Sequence, residues 1–457
     1  MSTLPKGWVP TTVKDLAGTS GLFVDGDWVE SKDQDPNGDI RLLQLADIGD
    51  GVFLDKSDRW INQEAFTRLR CTKLETGDVL IARMPDPLGR ACLMPSLEQR
   101  CVTVVDVAAL RVDPQVADNR WVMHTVNAPQ LRAEISAQAS GTTRKRISRG
   151  NLGGLQIPLP PESEQKRIAD KLDTVLSRVD AVNTRLARVA PILKRFHQSV
   201  LAAATSGRLT DDWRDAHRTG DWTPRTVESL CLHISDGPFG SNLKSDDYTD
   251  EGARVVRLEN IGHLSFDSAK ETFISLDKYE TLKKHTLLPN DLLFSSFVDE
   301  EVRVCEFPAN IGEPTINKAD CFCVRVDRAQ VDPRFLAFRL ACKSTYQALK
   351  ALVHGATRPR INLRQLREFE VLLPSADEQA EIVRRVETLL AFADRLEARL
   401  QNAQTATERL TPALLAKAFR GELVPQDPYD EPASELLRLL QQAAPSTIAR
   451  RGRKSAA

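Results

Sequence analysis

The chain has 457 residues, 41% of them hydrophobic, enough apolar material for two or three ordinary cores. Its formal net charge of −1 excludes bulk attraction as a means of binding a polyanion and leaves only a locally basic face. No run approaches about 18 uncharged apolar residues and the N-terminus does not read as a signal peptide, so a cytoplasmic protein with no membrane segment is expected.

In chain order, GWVPTTVKDL (residues 7–16) opens a mixed region in which LLQLADI, DVLIAR and CVTVVDV read as strands by their length and β-branched content. ADNRWVMHTVNAPQLRAEI follows as a helix. Next come a basic segment, TTRKRISR (residues 142–149), and a proline-marked junction, LPPESEQKRI. A long helical pattern then carries apolar residues at Ile168, Leu172, Val175, Val179, Val182, Leu186, Val189, Leu193, Phe196 and Val200, in alternating steps of four and three. The same order then recurs. DWTPRTVESL matches the opening at an offset of 214 residues. The strands are VVRLENI, DLLFSSF and CFCVRV, and the helix is PRFLAFRLACKSTYQALKAL. GATRPRIN, the junction LPSADEQAEI and a second seam follow. That seam runs through Ile382, Val386, Leu389, Ala393, Leu396, Leu400, Ala403, Thr407, Leu410 and Leu414. Blocks repeated in one order at a near-constant offset mark an internal duplication.

A 3.5-residue seam needs a second helix against it. The competing reading is an amphipathic helix lying on its own domain. Ile168 to Val200 rises about 50 Å at about 1.5 Å per residue. Only a short linker separates the first rod from the second domain, so pairing requires the rods to be antiparallel. Pro191 and Pro412 are expected to kink them or split off their last turns. The fold expected is α+β: two similar mixed α/β domains, each followed by a long helix, the helices pairing as an antiparallel coiled coil about a pseudo-twofold axis. Two heads held so far apart exceed one turn of B-DNA, about 34–36 Å, and suit a two-part site.

Thr143, Arg144, Lys145, Arg146 and Arg149 in the first copy, and Thr357, Arg358, Arg360, Arg364 and Arg367 in the second, form equivalent basic clusters before short helices capped by Ser148 and Asn362. Asn362 with Gln365 fits a capping box. Guanidinium groups there suit phosphate; the alternative is a basic turn paired with Glu162, Glu164 or Glu368. The copies differ most at FVDGDWVESKDQD and SDGPFGSNLKSDDY, where Trp28, Glu30 and Lys32, and Ser241, Asn242 and Lys244, suit base edges or phosphates. The alternative is a polar surface loop. The tail ARRGRKSAA is basic and reads as a partly disordered end. Eight scattered cysteines include Cys321 and Cys323, which a strand would place on one face; without C-x-x-C or H-E-x-x-H, buried reduced thiols and no metal site are expected.

Together, GWVPTTVKDL with DWTPRTVESL, GATRPRI, the LP…EQ…I junctions opening heptad helices, and DGPFGSNLK resemble the specificity subunit of type I restriction–modification systems. The resemblance extends to about residue 425. It implies target-recognition domains at 1–160 and 211–375, spacer helices at 161–210 and 376–425, and a tail at 426–457. Each domain would read half of an asymmetric site in double-stranded DNA. The helices would set the spacer and dock two modification subunits, and restriction subunits would join that core. No phosphate-binding G-x-x-x-x-G-K-[ST] and no Asn-Pro-Pro-Tyr or Asp-Pro-Pro-Tyr tetrapeptide occurs. The chain is therefore expected to have no catalytic residues and no cofactor of its own, S-adenosylmethionine, ATP and Mg belonging to the partner subunits. The rival class is a coiled-coil scaffold without specific DNA binding.

Overall fold

The computed structural model describes residues 4–141, 144–298, 300–353 and 359–443. The chain divides into two compact units, residues 1–186 with 403–457 and residues 187–402.

In the first unit, strand Val9–Thr12 pairs antiparallel with Gln156–Leu159, so the head closes its beginning onto its end. A four-stranded antiparallel sheet runs in the order Leu22–Asp25, Val107–Arg111, Val79–Ala82, Ala91–Leu93. A three-stranded sheet runs Trp60–Ile61, Ile40–Leu43, Arg100–Thr103, with the last pair parallel. Val79 and Ile81 face a core shared with Trp121, Val122 and Leu131. Leu80 and Ala82 face another with Leu43, Cys92 and Met94. Both faces of this strand are covered, so its sequence is continuously apolar rather than alternating.

The second unit repeats the plan. Thr223–Thr226 pairs with Glu370–Leu373. One sheet orders Cys231–Ser235, Cys321–Val326, Leu292–Ser295 and Val304–Glu306; the other orders Tyr248–Thr249, Phe273–Ile274, Ala253–Val256 and Thr315–Asn317. Cys321 and Cys323 share a face and a core with Cys305, while Phe322 and Val324 face the other core. The eight cysteines are free thiols, seven of them buried and Cys231 half-buried. Burial pushes Cys92, Cys305 and Cys321 up to about 12. Among the described residues, no helix is long and apolar enough to cross a membrane.

Four local expectations are corrected. LLQLADI and VVRLENI are strands only to Leu43 and Val256; each then makes a 3-10 turn, Leu45–Asp47 and Leu258–Asn260. The Asp47 carboxylate accepts the amides of Gln44, Lys56 and Ser57, and the Asn260 side chain accepts that of Arg257, which holds the turn against extension. CVTVVDV is the end of one strand, Arg100–Thr103, and the start of the next. Each domain helix is two. Asn119–Val126 stops before Pro129 opens Pro129–Ala137, because proline disfavours a helical Ala128. Pro333–Ala341 ends at an extended Cys342, where the Thr345 hydroxyl donates to the Arg339 carbonyl at 2.6 Å before Lys343–Leu352 begins. Finally, of the kink or split expected at Pro191 and Pro412, the split does not occur: the long helices Glu162–Thr205 and Ala376–Phe419 run on for 44 residues each. Both prolines are exposed, as are Ala187 and Glu408, whose freed carbonyls lie on the wet side.

The junction answers to one arrangement built twice. Trp8 Nε1 donates to Glu164 at 2.9 Å, and Trp222 Nε1 to Glu378 at 3.0 Å. Gln165 accepts the Asp118 amide at 2.9 Å and donates to the Pro160 carbonyl at 3.0 Å; Gln379 does the same with Asp332 at 2.8 Å and Pro374 at 3.0 Å. Each Glu-Gln pair thus ties the first turn of a long helix to both ends of its head.

Within the first unit, Ile168, Ala169 and Leu172 share a core with Leu415 and Ala418. Within the second, Val200, Leu201 and Ala204 share one with Ile382, Val383 and Val386. The start of each helix therefore packs against the end of the other, so the pair is antiparallel. These cores also contain head residues, so the ends of the seam serve the domains as well as the helix pair. Val179 and Ala393 are buried, whereas Val175, Leu186, Leu389, Leu396 and Leu400 are half-buried. Val182 and Leu410 depart from the seam: they are exposed, since a single partner helix covers one side of a stripe and leaves its flank open. Thr407 is buried, and its hydroxyl is satisfied by the Ala403 and Gln404 carbonyls of its own helix. Residues 427–443 return to the first unit: Arg167 pairs with Asp430 at 2.6 Å, and Ala433 of helix Ala433–Ala443 is buried in its core.

Candidate nucleic-acid interface

In each head the basic cluster is seated against the ends of the four-stranded sheet. Arg146 donates to the Val105 carbonyl at 3.0 Å and lies 3.4 Å from Asp106. Its counterpart Arg360 lies 3.1 Å from Asp320, with its guanidinium 4.3 Å from the Phe297 ring centroid. Arg149 reaches the Phe23 carbonyl at 3.3 Å and Asp25 at 3.6 Å. In the second head Arg367, not the residue aligned with Arg149, donates to the equivalent Ile234 carbonyl at 2.7 Å. Arg144 and Lys145 are exposed, and among the described residues no ion pair or hydrogen bond engages their side chains. Arg364 pairs with Glu368 at 2.7 Å, and that carboxylate raises its pKa. Of the acidic partners the sequence offered, only Glu368 is used this way among the described residues; Glu162 pairs with Lys166, and Glu164 accepts from Trp8. Thr143, Thr357 and Arg358 lie outside the described residues.

The short helices following the clusters are capped as expected. Ser148 accepts the Asn151 amide at 3.0 Å, and Asn362 and Gln365 bond reciprocally at 2.9 and 2.8 Å.

In the divergent loops, Trp28 Nε1 donates to Glu30 at 3.2 Å and Lys32 pairs with Glu30 at 2.8 Å. Asn242 closes the 3-10 turn Gly240–Asn242, its amide donating to the Phe239 carbonyl at 2.9 Å. The Asn242 and Lys244 side chains are exposed, and of Ser241 only the backbone is described.

Sequence reading passed over Asp25, Arg83, Asp106, Asp320 and Phe239. Arg83 is buried, its guanidinium 2.6 Å from Asp25, and burial lowers its pKa. A signal for the acids was available in the repeat, because Asp25 and Asp236, and Asp106 and Asp320, fall at matching places. Asp27 beside them is pushed up to about 6 by burial, against the opposing pull of the Thr72 amide. Among the described residues no three His, Cys, Asp or Glu side chains are grouped to hold a metal ion.

The profile described as "Type I restriction modification DNA specificity domain" matches residues 5–190 and 254–404. The chain belongs to the type I restriction–modification DNA specificity family. It is 32% identical to the Type I restriction enzyme StySPI specificity subunit of Salmonella potsdam, over 93% of this chain and 90% of that one. It is 31% identical to the EcoKI specificity subunit of Escherichia coli K12, over 67% of this chain and 66% of the relative. Among solved structures, a chain from a study of complex assembly and conformational transition of the type I R-M system aligns with a TM-score of 0.70 at 18% identity. It covers 93% of this chain and all of that one. The HsdS subunit from Thermoanaerobacter tengcongensis aligns at 0.58 and 19%, covering 92% and 98%. At that identity the likeness shows the shared fold. This specificity-family chain therefore carries two heads of one framework, with an acidic–basic rim at the same sheet edge of each.

Proposed function

We propose that each head reads one half of an asymmetric, two-part site in double-stranded DNA. The paired long helices set the interval between the halves and dock two modification subunits, with restriction subunits joining that core. The chain contributes recognition and no catalysis. S-adenosylmethionine, ATP and Mg are taken up by the partner subunits. The complex works in the cytoplasm, where unpaired thiols stay reduced.

The observation that carries this reading is a framework repeated down to single hydrogen bonds, with loops that differ most at one rim. Folding alone accounts for the shared bonds. Marked divergence at FVDGDWVES and ISDGPFGSN beside equivalent arginines suits two modules with different targets.

The test is a graft of residues 211–375 in place of 1–160, assembled with its partner subunits. The expected product prefers an inverted repeat of the second half-site, mapped by sequencing methylated positions. An unchanged preference refutes the division of labour. Binding no tighter than about 10⁻⁴–10⁻⁶ M, the non-specific range, favours the scaffold instead. Inserting one heptad into both long helices should lengthen the tolerated spacer by about 10 Å, or about three base pairs.

A further inference from the structure

Two large aromatic side chains stand in water at the same position of the two heads. In the sheet register, Phe23 and Ile234 face Leu110 and Val324, equivalent residues of the repeat. Counting on from there aligns Asp25 with Asp236, Gly26 with Gly237, and Trp28 with Phe239. Trp28 is 65% exposed and Phe239 56% exposed. Neither contributes to a core, so folding does not explain why both loops keep an aromatic when, beyond the shared Asp-Gly, their residues differ.

In both heads the turn that presents them is pressed against neighbouring backbone at its glycine, and in the first head amide bonds hold it further, Pro238 standing where Asp27 donates. A Cβ on Gly26 would meet the Val104 carbonyl oxygen at 2.1 Å, and one on Gly237 the Lys318 carbonyl carbon at 2.4 Å, so the backbones touch at matching points. Gly26 and Asp27 also donate to the Val107 and Thr103 carbonyls at 2.8 and 2.7 Å. The basic rim is adjacent in both heads. Arg149 reaches back to Asp25, and Arg146 is held by Val105 and Asp106 at the end of the strand that bonds Asp27. In the second head a cleft of about 420 Å³ is lined by Phe239 together with Asp236, Asp320, Leu352, Arg360 and Asn362.

We propose that Trp28 and Phe239 are equivalent base-contacting residues, each placing an aromatic face against the bases of its half-site while the neighbouring arginines hold the phosphates. This rests on the DNA-reading function above and adds the side chains that make the apolar contact. An exposed aromatic ring loses little freedom on docking, and apolar side chains of this kind contact the bases of a duplex by wedging against a partly unstacked step. Nucleic acid is favoured over a protein occupant because beside this rim in the first head the exposed Arg144 and Lys145 have, among the described residues, no ion pair, which leaves positive charge for phosphate.

The experiment uses the full chain assembled with its partner subunits and a duplex carrying the site mapped from methylated genomic DNA. Trp28→Ala and Phe239→Ala should each weaken binding to that duplex about 10-fold or more. Binding to unrelated duplex and the salt slope should stay as they were. Trp28→Phe and Phe239→Trp should retain most of the affinity. Single-base changes in one half-site should lose their effect only in the variant of the head that reads it. Equal weakening on both duplexes, or unchanged affinity, overturns the inference. So does loss of partner-subunit assembly with DNA preference intact, which reassigns the rings to protein docking. If the unsubstituted complex shows no preferred sequence, the DNA-reading function itself fails, a result distinct from any of these.

Discussion

Replacing Gln379 with Leu tests the junction that the chain spells twice. Gln379 is 2% exposed; its carbonyl accepts the Asp332 amide at 2.8 Å, and its amide donates to the Pro374 carbonyl at 3.0 Å and the Gln330 carbonyl at 3.3 Å. Leu matches the volume, so no cavity opens, but a donor and an acceptor are left buried without partners at about 1–3 kcal/mol each. Burying apolar atoms in place of the carboxamide returns about 1 kcal/mol. The net loss is about 1–5 kcal/mol, about 5-fold to 5000-fold in the local opening equilibrium. Hydrogen exchange read by mass spectrometry on the full chain resolves where that loss falls. Strand Glu370–Leu373 and the start of helix Pro333–Ala341 should exchange faster by that factor, while the first head keeps its protection. Gln165→Leu should give the mirror result, through the Asp118 amide and the Pro160 carbonyl. Exchange altered less than threefold by both substitutions refutes the reasoning, because the Glu-Gln pair would then be decoration on a joint held by apolar packing alone.

Asp27 gives a pH signature. Its folded pKa of about 6 lies above the ordinary carboxylate value, so the folded chain keeps a proton that the unfolded chain has lost. Stability should fall as pH rises through about 4 to 6, and Asp27→Asn should remove that slope and stabilise at neutral pH by about 1 kcal/mol, a value reduced for partial exposure. Urea melts across that range check it, and an unchanged slope counts against the shift. On the DNA side, Arg144→Ala with Lys145→Ala should flatten the dependence of log K on log salt by about 0.9 for each phosphate no longer neutralised, without changing the preferred sequence. Arg364→Ala, whose charge Glu368 already balances, should leave that slope nearly unaltered in the same titration.

Much of this molecule is written locally. The duplication, the two long helices and their seam, the shared face of Cys321 and Cys323, and the Asn362 capping box all rest on spacing along the chain, and spacing survives without knowledge of the fold. Strand ends and helix breaks are less legible: a side chain such as Asp47 or Thr345 turns the backbone by capturing an amide or carbonyl whose availability depends on neighbours. The site was half-visible. The arginine clusters stand out by composition, but composition carries no partner, so Arg364, facing Glu368, and Arg360, lying on Phe297 beside Asp320, look alike in the sequence.

The sequence by itself determined the repeat, the two long helices and the family resemblance, because periodicity and duplicated motifs are properties of order along the chain. Only the tertiary structure decided which charges are matched, which seam residues stay wet, and that Trp28 and Phe239 occupy one equivalent exposed position. Those outcomes depend on which surfaces meet between segments far apart in the chain. Solvation, which separates a buried Arg83 from an open Arg144, is set by that meeting.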